Sequence, residues 1–230
     1  FIARHISRTR SKGAARDAYA KLGFKSPLPE NTKKQAIALQ ASLRASGLDA
    51  DVLVSMRYWH PLAPEVIEKI NAMKPDRLVL LPLYPQYSTT TTGSSFQDFW
   101  ASVQEDDGEL HKRWNDETKI SMICCYPVLP GFITASAAHI RTEIAKAPPG
   151  TRILFSAHGL PEKVIAAGDP YRHQCEKTAE AIVNELNIPD LDWQICYQSR
   201  VGPLKWIGPS TDEALEKAAA DKKGVIVYPH

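Results

Sequence analysis

The chain has 230 residues, enough for one large α/β domain or two small ones around a real apolar core. Its 28 basic and 26 acidic side chains leave a formal charge of +2, too small a surplus to argue for a nucleic-acid partner. No apolar stretch reaches the roughly 20 residues that span a bilayer, and no signal-peptide pattern is present.

A local basic patch opens the chain, where Arg4, His5, Arg8, Arg10, Lys12 and Arg16 fall beside Phe1 and Ile2. It reads either as a solvated helix face or as a cationic rim for acidic lipid head groups or the carboxylates of an amphipathic ligand. Phe1 opens inside an apolar and basic phrase, and His230 follows directly on the strand-like Val225, Ile226 and Val227. Sequence is therefore expected to be missing at both ends.

Short apolar runs at 51–58, 77–84, 119–126, 151–157, 191–198 and 224–228, rich in Val, Ile, Leu or Tyr, read as strands. Helical spacing links Leu62, Val66, Ile67, Ile70 and Met73, then Phe132, Ile133, Ala137, Ile140 and Ile144. A third stripe comprises Tyr171, Cys175, Ala179, Ile182, Val183 and Leu186. Ser210 with Glu213 forms a capping box for a last helix, which Lys222, Lys223 and Gly224 close. Strand–helix alternation of this kind predicts parallel sheets with helices on both faces. Pro127, Pro130 and Gly131 mark a change of lobe near residues 127–131. Cys124, Cys125, Cys175 and Cys196 lack C-x-x-C spacing, which favours a reducing compartment, and the adjacent pair sits in what reads as a buried strand.

In open α/β folds the chemistry gathers past the carboxyl ends of the strands, and four such ends carry unusual loops. In Met56 to Pro61, Arg57 is a donor fork suited to a carboxylate, and Tyr58 and Trp59 offer flat surfaces; a purely structural role is the plainer reading. Tyr84 to Ser95 carries seven hydroxyl-bearing residues in eight positions from Ser88, broken by Gly93; a helix cap with spare hydroxyls is the plainer reading. Ser156 to Pro161 presents His158 beside Gly159, a candidate base or metal ligand because imidazole titrates near neutrality. Gly168 to Tyr171 reads mainly as capping for the next helix. Tyr197 to Pro209 is a Gly/Pro-braced loop presenting Trp206, either a wall for a flat ligand or a plug in the core. The chain has no P-loop, no G-x-S-x-G elbow, no G-x-G-x-x-G and no zinc-finger spacing.

Together these loops resemble ferrochelatases. Tyr84 to Ser95 is similar to that family's Y-P-Q-Y-S-x-x-T-T-G-S-S, Ser156 to Pro161 to S-A-H-[GS]-L-P, Gly168 to Tyr171 to G-D-P-Y, and Gln198 to Glu213 to Q-S-[KR]-V-G-P-x-x-W-[LI]-G-P-x-T-D-E. The resemblance implies an α/β chelatase fold of two Rossmann-like lobes, 1–128 and 129–230, with parallel sheets flanked by helices around a porphyrin cleft. It implies insertion of ferrous iron into protoporphyrin IX, the last step of haem synthesis. His158 matches the metal-insertion centre, as catalytic residue and metal contact. Tyr58, Tyr87, Ser88, Ser199 and Trp206 match positions that line the cleft or sit close behind it, and Arg57 matches a strand-end arginine nearby. The family's opening strand and its F-x-x-[ED]-H-x-E-T-L carboxylate segment are absent from these 230 residues, so the piece alone is expected to lack insertion activity.

The resemblance also implies ferrous iron as substrate and no required cofactor. Thr89 stands where relatives with an iron–sulfur cluster place an early cysteine, so no cluster is expected. Residues 1–27 resemble a lip that touches membrane, implying a cytoplasmic protein peripheral to the inner face of the membrane, or a matrix protein in mitochondria. A porphyrin carrier without turnover and a cobalt or nickel chelatase are the competing readings.

Overall fold

The computed structural model describes residues 20, 23, 25–105, 120–199 and 203–230. The basic patch at residues 4–16, most of the lip at 1–27, and Arg200 to Gly202 lie outside the described residues. Compactness divides the chain into Phe1–Lys74 and Pro75–His230.

In the first unit, helix α1 (Leu28–Ala45) buries no side chain fully. Helix α2 (Ala63–Met73) turns the expected stripe inward, burying Ala63, Val66, Ile67 and Ile70, while Met73 stays 44% exposed. The run 51–58 is not a strand. Its residues alternate in burial, but no neighbour among the described residues supplies the ladder that would make the alternation a sheet. Local partners serve the backbone instead, Gln40 Oε1 accepting from Val52 N–H and Pro61 O from Met56 N–H.

The second unit holds two parallel sheets. Strands β1 (Leu78–Leu80) and β2 (Ile120–Met122) pair in register from Leu78 opposite Ile120. Both are shorter than expected, although Ile123 N–H still donates to Leu80 O and Tyr126 N–H to Pro85 O. The adjacent cysteines lie beyond β2 and are not buried as a pair, since Cys124 is exposed and Cys125 half-buried; both are free. This sheet shows two strands among the described residues, leaving Met122 50% exposed.

The other sheet has strand order β4–β3–β5, formed by Arg152–His158 (β3), Trp193–Gln198 (β4) and Val225–Pro229 (β5). Between β1 and β2 lie a π-helical turn (Thr89–Gly93) and α3 (Ser94–Glu105). Helices α4 (Pro130–Ile144), α5 (Glu162–Ala166), α6 (Tyr171–Leu186) and α7 (Thr211–Ala220) follow in the second unit.

Strand β3 is buried from Arg152 to Ala157 because helices cover both its faces. Ile153 and Phe155 pack with Ile133, Ala137 and Ile140 of α4 and Ala179, Ile182 and Leu186 of α6. Leu154, pointing the other way, packs with Cys196 and Ala214 of α7. The capping box of α7 is formed, with Ser210 N–H donating to Glu213 Oε2 at 2.6 Å and Glu213 N–H to Ser210 Oγ at 3.1 Å. The left-handed residue after α7 is Lys222, not Gly224. Gly224 serves close approach instead, since a Cβ there would lie 2.8 Å from Thr151 Oγ1.

The amino edge of this sheet is tied by ions. Arg152 Nε meets Asp192 Oδ1 at 2.9 Å and its Nη1 meets Asp221 Oδ2 at 2.9 Å, while Lys223 also pairs with Asp192. The opposite, carboxyl edge carries the exposed His158. Strands β1 and β2 precede residue 128 and β3 to β5 follow it, and residues 75–230 form one compact unit.

Candidate functional site

His158 is the last residue of β3 and the first exposed one after six buried residues. The ladder opposite Gln198 fixes its backbone, Gly159 N–H donates to Gln198 O at 2.7 Å, and His158 N–H donates to Tyr171 Oη at 3.2 Å. The imidazole therefore projects to solvent from a rigid base.

Gly159 has a steric reason. A Cβ there would sit 2.8 Å from Gln198 O and 3.4 Å from Trp206 Cε3, so the missing side chain lets the indole approach the strand end. The backbone beside Trp206 is pinned as well, with Ile207 N–H donating to Leu160 O and Glu162 N–H to Lys205 O. Trp206 is half-buried, and its indole N–H has no acceptor among the described residues. It lines a groove of about 530 Å³ with Glu162, Leu204, Lys205, Gly208, Pro209 and Glu213. Ser199, exposed and left-handed at φ 66°, follows β4 at the same edge. The structure thus gathers His158, Ser199 and Trp206.

The hydroxyl-rich loop joins this edge through α6. Tyr87 N–H donates to Gln174 Oε1 at 2.7 Å, and Gln86 Nε2 donates to Thr178 Oγ1 at 3.1 Å. Ser88 is buried, accepting from Thr90 N–H at 3.1 Å and donating to Asp169 Oδ2 at 3.0 Å. Tyr87 lines another groove, of about 420 Å³, with Phe96, Trp100 and Met122 among its walls.

Asp169, read from sequence mainly as a cap, is 7% exposed and joins two motifs. Its Oδ1 accepts from Tyr171 N–H at 3.0 Å, while Oδ2 accepts from Ser88 Oγ, from Thr89 N–H at 2.8 Å and from Thr89 Oγ1 at 2.7 Å. Burial pushes this carboxyl up, but the donors of Thr89, Tyr171 and Ser88 outweigh it and hold it below the usual carboxylate range. Gln174 and Thr178 were also missed. They are polar residues one turn apart beside an apolar stripe, and a polar group on a covered helix face needs a partner elsewhere in the chain.

Beneath the edge, Tyr171 packs with Ala157, Leu160, Cys175, Tyr197 and Ile207. Burial pushes its phenol up and the Cys175 thiol up to about 12, so both stay protonated. His230 is held below its ordinary value by burial, with Nε2–H donating to Cys175 O at 2.8 Å.

Arg57 and Tyr58 belong to the first unit. The Arg57 guanidinium carbon lies 4.9 Å from the Tyr58 ring centroid, and Tyr58 is 78% exposed. Glu65 receives Leu62 N–H at 3.1 Å and His60 Nδ1 at 2.5 Å, which steadies the turn after them. Among the described residues, no group of three or more His, Cys, Asp and Glu side chains forms a metal cage, and no helix is long and apolar enough to cross a membrane.

A helix-covered parallel sheet that presents an exposed imidazole and an indole at one carboxyl edge defines an α/β protein with a candidate site at its strand ends. A family model described as Ferrochelatase matches residues 1–230. The chain is 49% identical over 232 residues to a ferrochelatase of Caulobacter vibrioides, covering 99% of this chain and 63% of that one. It is 48% identical over 233 residues to one of Phenylobacterium zucineum, covering 99% of this chain and 64% of the relative. For Rickettsia bellii the identity is 44% over 230 residues, covering 100% and 61%. The chain belongs to the ferrochelatase family, and it spans about three-fifths of the length of these curated relatives.

Proposed function

We propose that the intact protein inserts ferrous iron into protoporphyrin IX, releasing two protons and forming haem. The observation that carries this reading is the exposed His158 imidazole, held at the end of a buried strand next to the Gly159 gap and Trp206. A porphyrin must give up its two pyrrole protons while the incoming iron sheds water. An imidazole near neutrality can take a proton or contact the metal, and an indole can stack on the macrocycle. Arg57, with Tyr58 beside it, supplies a fork for a propionate.

Ferrous iron is substrate here, and no resident cofactor or iron–sulfur cluster is assigned. The basic residues within 1–27 supply peripheral contact with acidic lipids at the cytoplasmic face, or at the matrix face in a mitochondrion. Nucleic acid has no part.

The experiment is anaerobic iron insertion by the intact protein and its His158→Ala variant. Insertion should be abolished while porphyrin affinity stays within a few fold of the parent. Turnover by the variant within a few fold of the parent would remove His158 from the reaction.

A further inference from the structure

Asp169 does more than a helix cap requires. At the start of α6, which begins at Tyr171 after Pro170, Oδ1 accepts the Tyr171 N–H in a local turn that one oxygen completes. The other oxygen turns to three donors about eighty residues earlier, on Ser88 and Thr89. None of these four donors is a cation, so among the described residues the buried charge is met by hydrogen bonds.

The same short stretch reaches the strand end, because Tyr171, two residues on, accepts His158 N–H with its hydroxyl. Tyr87, adjacent to Ser88, is clamped a second time by Gln174 of the helix that Tyr171 begins. Gly168 makes the turn feasible with φ at 96°, a conformation side chains rarely adopt.

We propose that Asp169 is a positioning residue for metal insertion, its carboxylate fixing the Tyr87–Thr89 wall at a set distance from the strand end that carries His158. This rests on the function proposed above. Only an acceptor at both oxygens satisfies the site, since an asparagine must turn its NH2 group toward the Tyr171 N–H or toward the Thr89 N–H, neither of which can accept, even though the Ser88 and Thr89 hydroxyls could rotate to do so. One of the two motifs is then detached.

The test uses the intact protein with Asp169→Asn and Thr89→Val; the latter removes one donor and keeps the backbone N–H. Amide hydrogen exchange and anaerobic insertion are measured together, with kcat counted per porphyrin-binding site so that loss of folded protein is discounted. In Asp169→Asn the Thr89 or the Tyr171 amide should exchange at least tenfold faster. Its kcat should fall at least tenfold, with the porphyrin KM within threefold. Thr89→Val should lose about threefold in kcat and decides the matter if Asp169→Asn does not fold. Parent-like kcat per site in a folded Asp169→Asn, or in Thr89→Val where the first does not fold, overturns the proposal. Exchange needs no turnover: a parent that inserts no iron sinks the functional reading, whereas parent-like protection at both Thr89 and Tyr171 in Asp169→Asn overturns the positioning role itself.

Discussion

At the scale of the residue, Trp206 offers two separable properties. Its ring packs toward Gly159, and its buried N–H finds no acceptor among the described residues, an arrangement that costs about 1–3 kcal/mol. Trp206→Phe keeps most of the ring and deletes the orphan donor. Its apo melting temperature is expected to match or exceed the parent's, while Trp206→Ala should melt lower. Trp206→Ala should also weaken porphyrin binding by roughly 1–3 kcal/mol if the macrocycle stacks there. Equal losses of apo stability in both variants would refute the separation.

Among the elements, β3 shows how one strand divides stability from chemistry. Its amino end carries Arg152, 8% exposed and paired with Asp192 and Asp221, and its carboxyl end carries the exposed His158. Asp192→Ala removes one of the two partners of Arg152 and the partner of Lys223. Breaking a fully buried pair costs about 3–5 kcal/mol. Asp192 keeps 25% of its side chain exposed and Asp221 still faces the guanidinium, so about 1–3 kcal/mol is expected here. Urea unfolding checks it, and a loss below about 0.5 kcal/mol would show the cluster to be ornamental. Porphyrin affinity should not change, because these ions sit at the opposite edge from His158.

For the whole molecule, the depressed pKa values set the direction of acid unfolding. His230 is held low by burial, so the unfolded chain takes up that proton first, and stability should begin to fall as pH drops below about 6.5. Asp192, held low first by Arg152 and then by Lys223, and Asp169, held low by its donors against burial, act later. Their contribution is complete above the ordinary carboxylate value of about 3.9 and disappears as pH falls through the depressed folded values. Urea midpoints measured from pH 8 to pH 3 should therefore decline in two stages, and His230→Gln should erase the upper one. A midpoint constant between pH 7 and pH 5 in the parent would contradict this.

Elements whose signals are local were legible in the order of residues. The apolar stripes of α2, α4 and α6, the Ser210–Glu213 capping box and the placing of His158 at a strand end all rest on spacing within one segment, and the family motifs are contiguous words. Residues 51–58 misled because alternation specifies a strand only where a neighbouring chain completes the ladder. It took the folded arrangement to show that Gly159 is small to admit Trp206, that Gln174 and Thr178 clasp Gln86 and Tyr87, and that Asp169 links Ser88 and Thr89 to the start of α6. Each joins groups far apart along the chain. A hydrogen bond over that separation leaves no periodicity, since its donor and acceptor meet only when the sheet and its helices bring them together.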